Sequence, residues 1–169
     1  MSSELDIVRE FRLETTLAGG VTRHIFPNVG TSTPPDEVWK RTKLLSRRPE
    51  GLVWTETCIE GSKQGESRAV KSIVKRVGSQ QIKFGQELEA LSLFSQSRKK
   101  DSFVEYYGWF EDNDMIYLTM EHLELGDLSR FLCRPFSEGE TRHLLSQVLH
   151  GVVFMHSRNF SHRDLKPQV

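Results

Sequence analysis

Ser161-His162-Arg163-Asp164-Leu165-Lys166-Pro167-Gln168 is the stretch on which the reading of this chain turns. It brings a histidine, an arginine, an aspartate and a lysine together directly after a long apolar-periodic segment. Taken alone, such a cluster is a solvated turn behind a helix, because charged side chains belong in water. Its meaning is decided by what precedes it.

Working back, the pattern predicts a helix over about 138–156. Ser137 stands at its start with Glu140 three residues later, the spacing of a capping box. Leu144, Leu145, Val148, Leu149, Val152 and Met155 form its apolar face, and His156 to Arg158 end it. A shorter helix follows Gly126-Asp127 through Leu128, Phe131 and Leu132. Before that, 103–110 and 115–120 read as strands around the tight turn Glu111-Asp112-Asn113-Asp114. A helix is expected from about Gln81 to Ser97, with Phe84, Leu88, Leu91 and Phe94 on one face. Three more strands are expected: around Val38-Trp39 and Leu44-Leu45, over Val53 to Ile59, and over Arg68 to Val74, the last two joined by a turn at Gly61 to Gly65. Residues 1–36 carry no clear reading: Ile7, Val8, Phe11, Leu13 and Leu17 suit a strand or a helix, Gly19-Gly20 breaks the segment, and 31–35 (TSTPP) reads as a linker. The order of strands with one inserted helix, then helices, is that of an α+β fold.

The helix over 81–97 offers two carboxylates, and its wheel separates them. Counting from Phe84, Glu87 falls at about 300°, inside the apolar stripe, and Glu89 at about 140°, toward solvent. A carboxylate among packed apolar groups wants a cation, because burying it alone is costly. Glu87 is therefore expected to have a partner.

The 169 residues suffice for a domain with a core. Lys plus Arg and Asp plus Glu each number 23, so nothing favours nucleic acid or an anionic membrane as partner. No apolar run approaches the roughly 18 residues of a membrane span. The start, Met1-Ser2-Ser3-Glu4, lacks a basic region followed by an apolar one. Cys58 and Cys133 share no metal-ligand spacing and read as ordinary thiols. An intracellular protein, cytoplasmic or nuclear, is the expectation.

With these elements in place, HRDLKP resembles the catalytic loop of eukaryotic-type serine/threonine protein kinases. The resemblance implies an antiparallel N-terminal-lobe sheet with one helix over 37–121, and a hinge and partial helical lobe over 122–169; residues 1–36 are left as a tail or linker of unknown role. It implies ATP with Mg2+ as cofactor, a protein serine or threonine hydroxyl as acceptor, and no reading of oligomeric state. Asp164 would be the base that orients that hydroxyl, and Lys166 would offset charge on the transferred phosphate. His162 would pack the loop and Arg163 would contact a phosphorylated segment. Ala69-Val70-Lys71 resembles the third-strand lysine motif, with Lys71 on the α and β phosphates and Glu87 fixing it. Tyr117 to Leu123 resembles the fifth strand and hinge: Met120 behind the adenine, the backbone of Glu121 and Leu123 on its edge, and Asp127 toward the ribose or the peptide. The texture of 103–127 is similar to calcium/calmodulin-dependent-like kinases of fungi.

Two departures qualify this. The family's glycine-rich loop would place glycines at 46, 48 and 51, followed by Val53, whereas the chain has Ser46, Arg48 and Gly51. Thin glycines let several N–H groups reach phosphate oxygens, and Pro49 removes one such group. The position of the family's magnesium-binding asparagine is Val169, and the D-F-G aspartate does not follow, so no metal ligand is expected here. The expectation is thus a kinase homologue, inactive as this truncated chain. The alternatives are a pseudokinase, a nucleotide- or protein-binding module without catalysis, or a mispredicted gene fragment.

Overall fold

The computed structural model describes residues 4–26, 35–49, 51–77, 80–81, 85–95 and 102–168. The chain divides into two compact units, one of residues 1–96 and 105–122, the other of 97–104 and 123–169.

The first unit is built on one antiparallel sheet. Its strands are β1 (Thr15–Ala18), β2 (Val21–His24), β3 (Glu37–Arg48), β4 (Gly51–Glu60) and β5 (Ser67–Val74), with β8 (Tyr106–Glu111) and β9 (Met115–Glu121). Their spatial order is β1-β2-β3-β4-β5-β9-β8. Helix α1 (Glu4–Glu10) precedes it, a separate hairpin β6 (Arg76–Val77) and β7 (Gln80–Gln81) follows β5, and α2 (Gly85–Ser95) is inserted before β8. The α+β class, the antiparallel sheet and its inserted helix are as expected. Helix α2 starts at Gly85, however, and Gln81 belongs to the small hairpin. Phe84, the linker residues 31–34 and Val169 lie outside the described residues.

Residues 4–24, where periodicity had allowed either a strand or a helix, hold α1 and the hairpin β1–β2. Gly19 and Gly20 turn that hairpin at φ 57° and 78°, the left-handed pair that a two-residue connection needs. β2 pairs with β3 at one side of the sheet. At the other, Leu13 N donates to Trp109 O at 2.8 Å and Trp109 N to Phe11 O at 2.9 Å. The segment 11–18 therefore joins β8 to β2, and the sheet closes on itself.

Alternation gives this closed sheet two faces. The outer one carries Ile73, Tyr106, Trp109, Ile116 and Leu118, covered by Leu88 of α2. The inner one carries a fully buried polar network. Arg68 donates to Glu56 Oε2 through Nε at 3.0 Å and Nη2 at 2.6 Å. Glu56 Oε1 accepts from Thr22 Oγ1 at 3.0 Å and Trp54 Nε1 at 3.1 Å. Arg68 Nη1 lies 2.7 Å from His24 Nε2, and Thr15 Oγ1 lies 2.7 Å from His24 Nδ1. Arginine can only donate, so Nε2 accepts and Nδ1 carries the proton. Trp39 lies flat under the guanidinium, its centroid 4.1 Å away.

The second unit holds a 3-10 turn at Leu128–Phe131 and helix α3 (Glu138–His156). The capping box forms: Ser137 N donates to Glu140 Oε2 at 2.8 Å, and Glu140 N to Ser137 Oγ at 3.3 Å. Phe154 of α3 packs on Phe103 at 5.7 Å between centroids. Leu145, Val148 and Leu149 of its apolar face are exposed. Among the described residues no helix is long and apolar enough to cross a membrane.

Candidate functional site

Strand register gathers the expected nucleotide residues of the first unit. Val53 stands opposite Lys71, and Ala69 opposite Met120. Directly opposed residues share a face and so do i and i+2, so Val53, Ala69, Lys71 and Met120 all lie on the outer face, on the side of α2. Lys71 Nζ meets Glu87 Oε1 at 2.5 Å, with side chains 41% and 39% exposed. Glu87, the carboxylate the wheel placed in the apolar stripe, is the one that meets Lys71, although its side chain is part-exposed. Leu118, opposite Lys71 and fully buried, forms the floor beside the lysine.

The loop with the missing glycines is a tight hairpin. Its register runs Ser46 to Val53, Arg47 to Leu52 and Arg48 to Gly51, with Pro49 in the turn that follows Arg48. Gly51 is held at φ 156°, where a Cβ would stand 1.8 Å from the Ser72 carbonyl oxygen. Ser72 Oγ accepts from Leu52 N at 2.9 Å, which ties the hairpin to β5. Gly51→Ala is expected to destabilise the chain by about 2 kcal/mol, since the backbone must yield. Urea unfolding of the two proteins checks this. A loss below about 0.5 kcal/mol would show that the tip moves freely.

Glu121 is fixed by main-chain and side-chain bonds to Glu105: its N donates to Glu105 O at 2.9 Å, and its Oε1 accepts from Glu105 N at 2.7 Å. In the second unit, Leu123 is exposed and its carbonyl accepts from Gly126 N at 3.0 Å. Asp127 caps the 3-10 turn, accepting from Ser129 N at 3.0 Å and from the Ser129 hydroxyl. That hydroxyl holds the Asp127 carboxyl below the usual carboxylate range.

The catalytic-loop motif is compact. Lys166 Nζ contacts both oxygens of Asp164, at 2.8 and 2.7 Å. Asp164 N donates to His162 Nδ1 at 3.3 Å. Arg163 sits at φ 62°, a left-handed conformation that an arginine adopts only where its surroundings hold it. Pro167 O accepts from Ser129 N at 3.1 Å, anchoring the loop to the 3-10 turn.

A family model described as the protein kinase domain matches residues 55–168. The chain belongs to the protein kinase domain family. Serine/threonine-protein kinase PLK4 of Xenopus tropicalis is 41% identical over 70 residues, 40% of this chain and 7% of that protein. PLK4 of Aedes aegypti is 34% identical over 126 residues, 73% of this chain and 16% of that protein. Mitogen-activated protein kinase kinase kinase YODA of Arabidopsis thaliana is 29% identical over 141 residues, 78% of this chain and 15% of that protein. The crystal structure of Rad53 1-466 in complex with AMP-PNP superposes with a TM-score of 0.62 at 28% identity, over 77% of this chain and 33% of that one. The chain thus spans 7% to 16% of these curated relatives.

Two features of this kinase domain escaped the sequence reading. The Tyr106 hydroxyl is buried without a hydrogen-bond partner among the described residues, and burial together with the charge of Glu87 pushes its phenol up. A cavity of about 320 Å³ opens on the inner face, lined among others by Leu17, Gly20, Arg41, Trp54 and Tyr117, on the opposite side of the sheet from Lys71. Among the described residues no group of three or more His, Cys, Asp or Glu could hold a metal ion.

Proposed function

We propose that this chain carries the nucleotide-binding sheet and catalytic loop of an ATP-dependent serine/threonine protein kinase. The Lys71–Glu87 ion pair, on the same face as Val53, Ala69 and Met120, is the observation that carries the reading. A held, partly exposed ammonium suits the phosphates, and small apolar neighbours suit a purine. In the reaction, the substrate hydroxyl oxygen attacks the γ-phosphorus, ADP leaves and Asp164 takes the proton. Lys166 moves from Asp164 to the phosphoryl oxygens as their charge grows. The chain's own part in this step is played by Lys71, Asp164 and Lys166. By family pattern the backbone of Glu121 and Leu123 is assigned to the adenine edge, and the Asp127 carboxylate to the ribose or the peptide substrate. The calcium/calmodulin-dependent-like grouping rests on the texture of 103–127 alone.

Titration of the chain with Mg–ATP tests this. Binding is expected, weakened about tenfold or more in Lys71→Met, the size of one charge-assisted contact. No binding, or equal binding by Lys71→Met, would overturn the reading. One observation favours binding without catalysis: the hairpin over 46–51 has a single glycine and a proline at its tip. Phosphate transfer to a protein that disappears in Asp164→Ala supports the kinase, and ATP binding without transfer supports the second reading.

A further inference from the structure

Residues 4–13 precede the stretch matched by the family model, yet they are built into the wall behind Glu87. Helix α1 packs on α2. Val8 and Phe11 lie against the cluster that contains Leu88 of α2, together with Ile73, Tyr106 and Trp109. Trp109 holds the segment from both sides: its Nε1 donates to Val8 O at 2.8 Å, and its main chain pairs with Phe11 and Leu13. Arg12 reinforces the seam, bonding Glu111 at 2.8 Å and lying 5.3 Å from the Trp109 ring centroid. Gly108 makes the approach possible, since a Cβ there would stand 2.6 Å from Phe11 O.

The inner end of this wedge is Phe11. Its ring meets Tyr106 at 5.3 Å between centroids. Tyr106 is 3% exposed and feels the charge of Glu87. Helix α2 has only 11 residues, too short to be stable by itself. Its rotation decides where Glu87 points, because each residue of slip turns the side chain by about 100°. The ion pair cannot set that rotation: it is part-exposed, and such pairs contribute less than the burial of one phenyl ring.

We propose that Phe11, backed by Val8, is a positioning residue for Glu87: the N-terminal segment fixes the rotation of α2 in which Glu87 reaches Lys71. The proposal rests on the nucleotide-binding reading only through one of its two assays.

The first assay is a double-mutant cycle on the full chain, read as Mg–ATP affinity. Phe11→Ala is expected to weaken binding about fivefold in the parent, and less than about twofold in a Glu87→Gln background, because its effect passes through that carboxylate. Equal weakening in both backgrounds would mark a merely structural role and overturn the proposal. The second assay needs no nucleotide. The Lys71 ammonium resonance, assigned with Lys71→Arg, should lose its ion-pair signature in Phe11→Ala and regain most of it in Phe11→Leu. An unchanged resonance in Phe11→Ala overturns the proposal. If Phe11→Ala fails to fold, Gly108→Ala, which pushes the segment away from β8, takes its place, and an unchanged Lys71 signal there overturns it equally. Should the parent bind no ATP while the Lys71 signal still responds to Phe11→Ala, the nucleotide reading falls and the positioning role stands.

Discussion

Glu56→Leu is expected to destabilise the chain by about 3–5 kcal/mol, the cost of leaving a buried cation without its counter-charge. Arg68 is 2% exposed and makes two hydrogen bonds to Glu56. At that burial bulk solvent is a poor replacement for them. Thr22 and Trp54 would lose their acceptor in the same substitution, adding about 1 kcal/mol each as unsatisfied donors. Urea unfolding followed by Trp fluorescence measures the loss. The double variant Arg68→Met with Glu56→Leu should recover most of it, since replacing both charges by apolar groups removes the unpaired ion. A single-variant loss below about 1 kcal/mol would show that the network is solvated and that the sheet does not close as described.

The same network predicts an acid-sensitive fold. Burial, then the charges of Arg68 and Lys63, lower His24 from its ordinary 6.5 to about 3. The neutral ring is required, because Nε2 accepts from Arg68. Between these values the unfolded chain binds a proton at His24 that the folded chain refuses. His24 therefore contributes stability that is fully present above pH 6.5 and is lost as pH falls toward 3. At about 1.4 kcal/mol per unit the loss is on the order of 4 kcal/mol. In His24→Gln the amide oxygen can accept from Arg68 and the amide nitrogen can donate to Thr15, with no titration. Its stability should fall less steeply between pH 6.5 and 3. Parallel profiles for the two proteins would show that His24 is hydrated in the native state.

What could be read ahead of the structure was whatever is encoded by neighbours in sequence. The capping box at Ser137 and Glu140 is local, and so is the wheel that put Glu87 in the apolar stripe of its helix. The presence of β4, β5, β8 and β9 as strands followed from alternation and turn residues. What was missed was too exposed or too short to carry a periodic pattern, or depended on partners far apart. The hairpin β1–β2 has mostly half-exposed or exposed residues in β1, so periodicity gave it no weight. Its signal was Gly19-Gly20 between two runs containing β-branched residues, read as a break when it is a turn. Arg68 and Glu56 fall within two expected strands, where nothing local marks them as a pair. Only their register, directly opposite each other, reveals a buried pair, and only His24, 44 positions from Arg68, completes it. The small hairpin β6–β7 has two residues per strand, too short for any periodic pattern.

The joining of β8 to β2 through residues 11–18 has a bearing on how this unit meets other molecules. A sheet with raw borders recruits extended segments from its neighbours, whether partner peptides or misfolded copies. Here one border is occupied at Trp109 by the segment that leads into the other, so recruitment by strand addition is hindered wherever the seam at Trp109 holds. Breathing of residues 4–13 would reopen the β8 border, and amide exchange at Leu13 and Trp109 would report that event before any loss of the central strands.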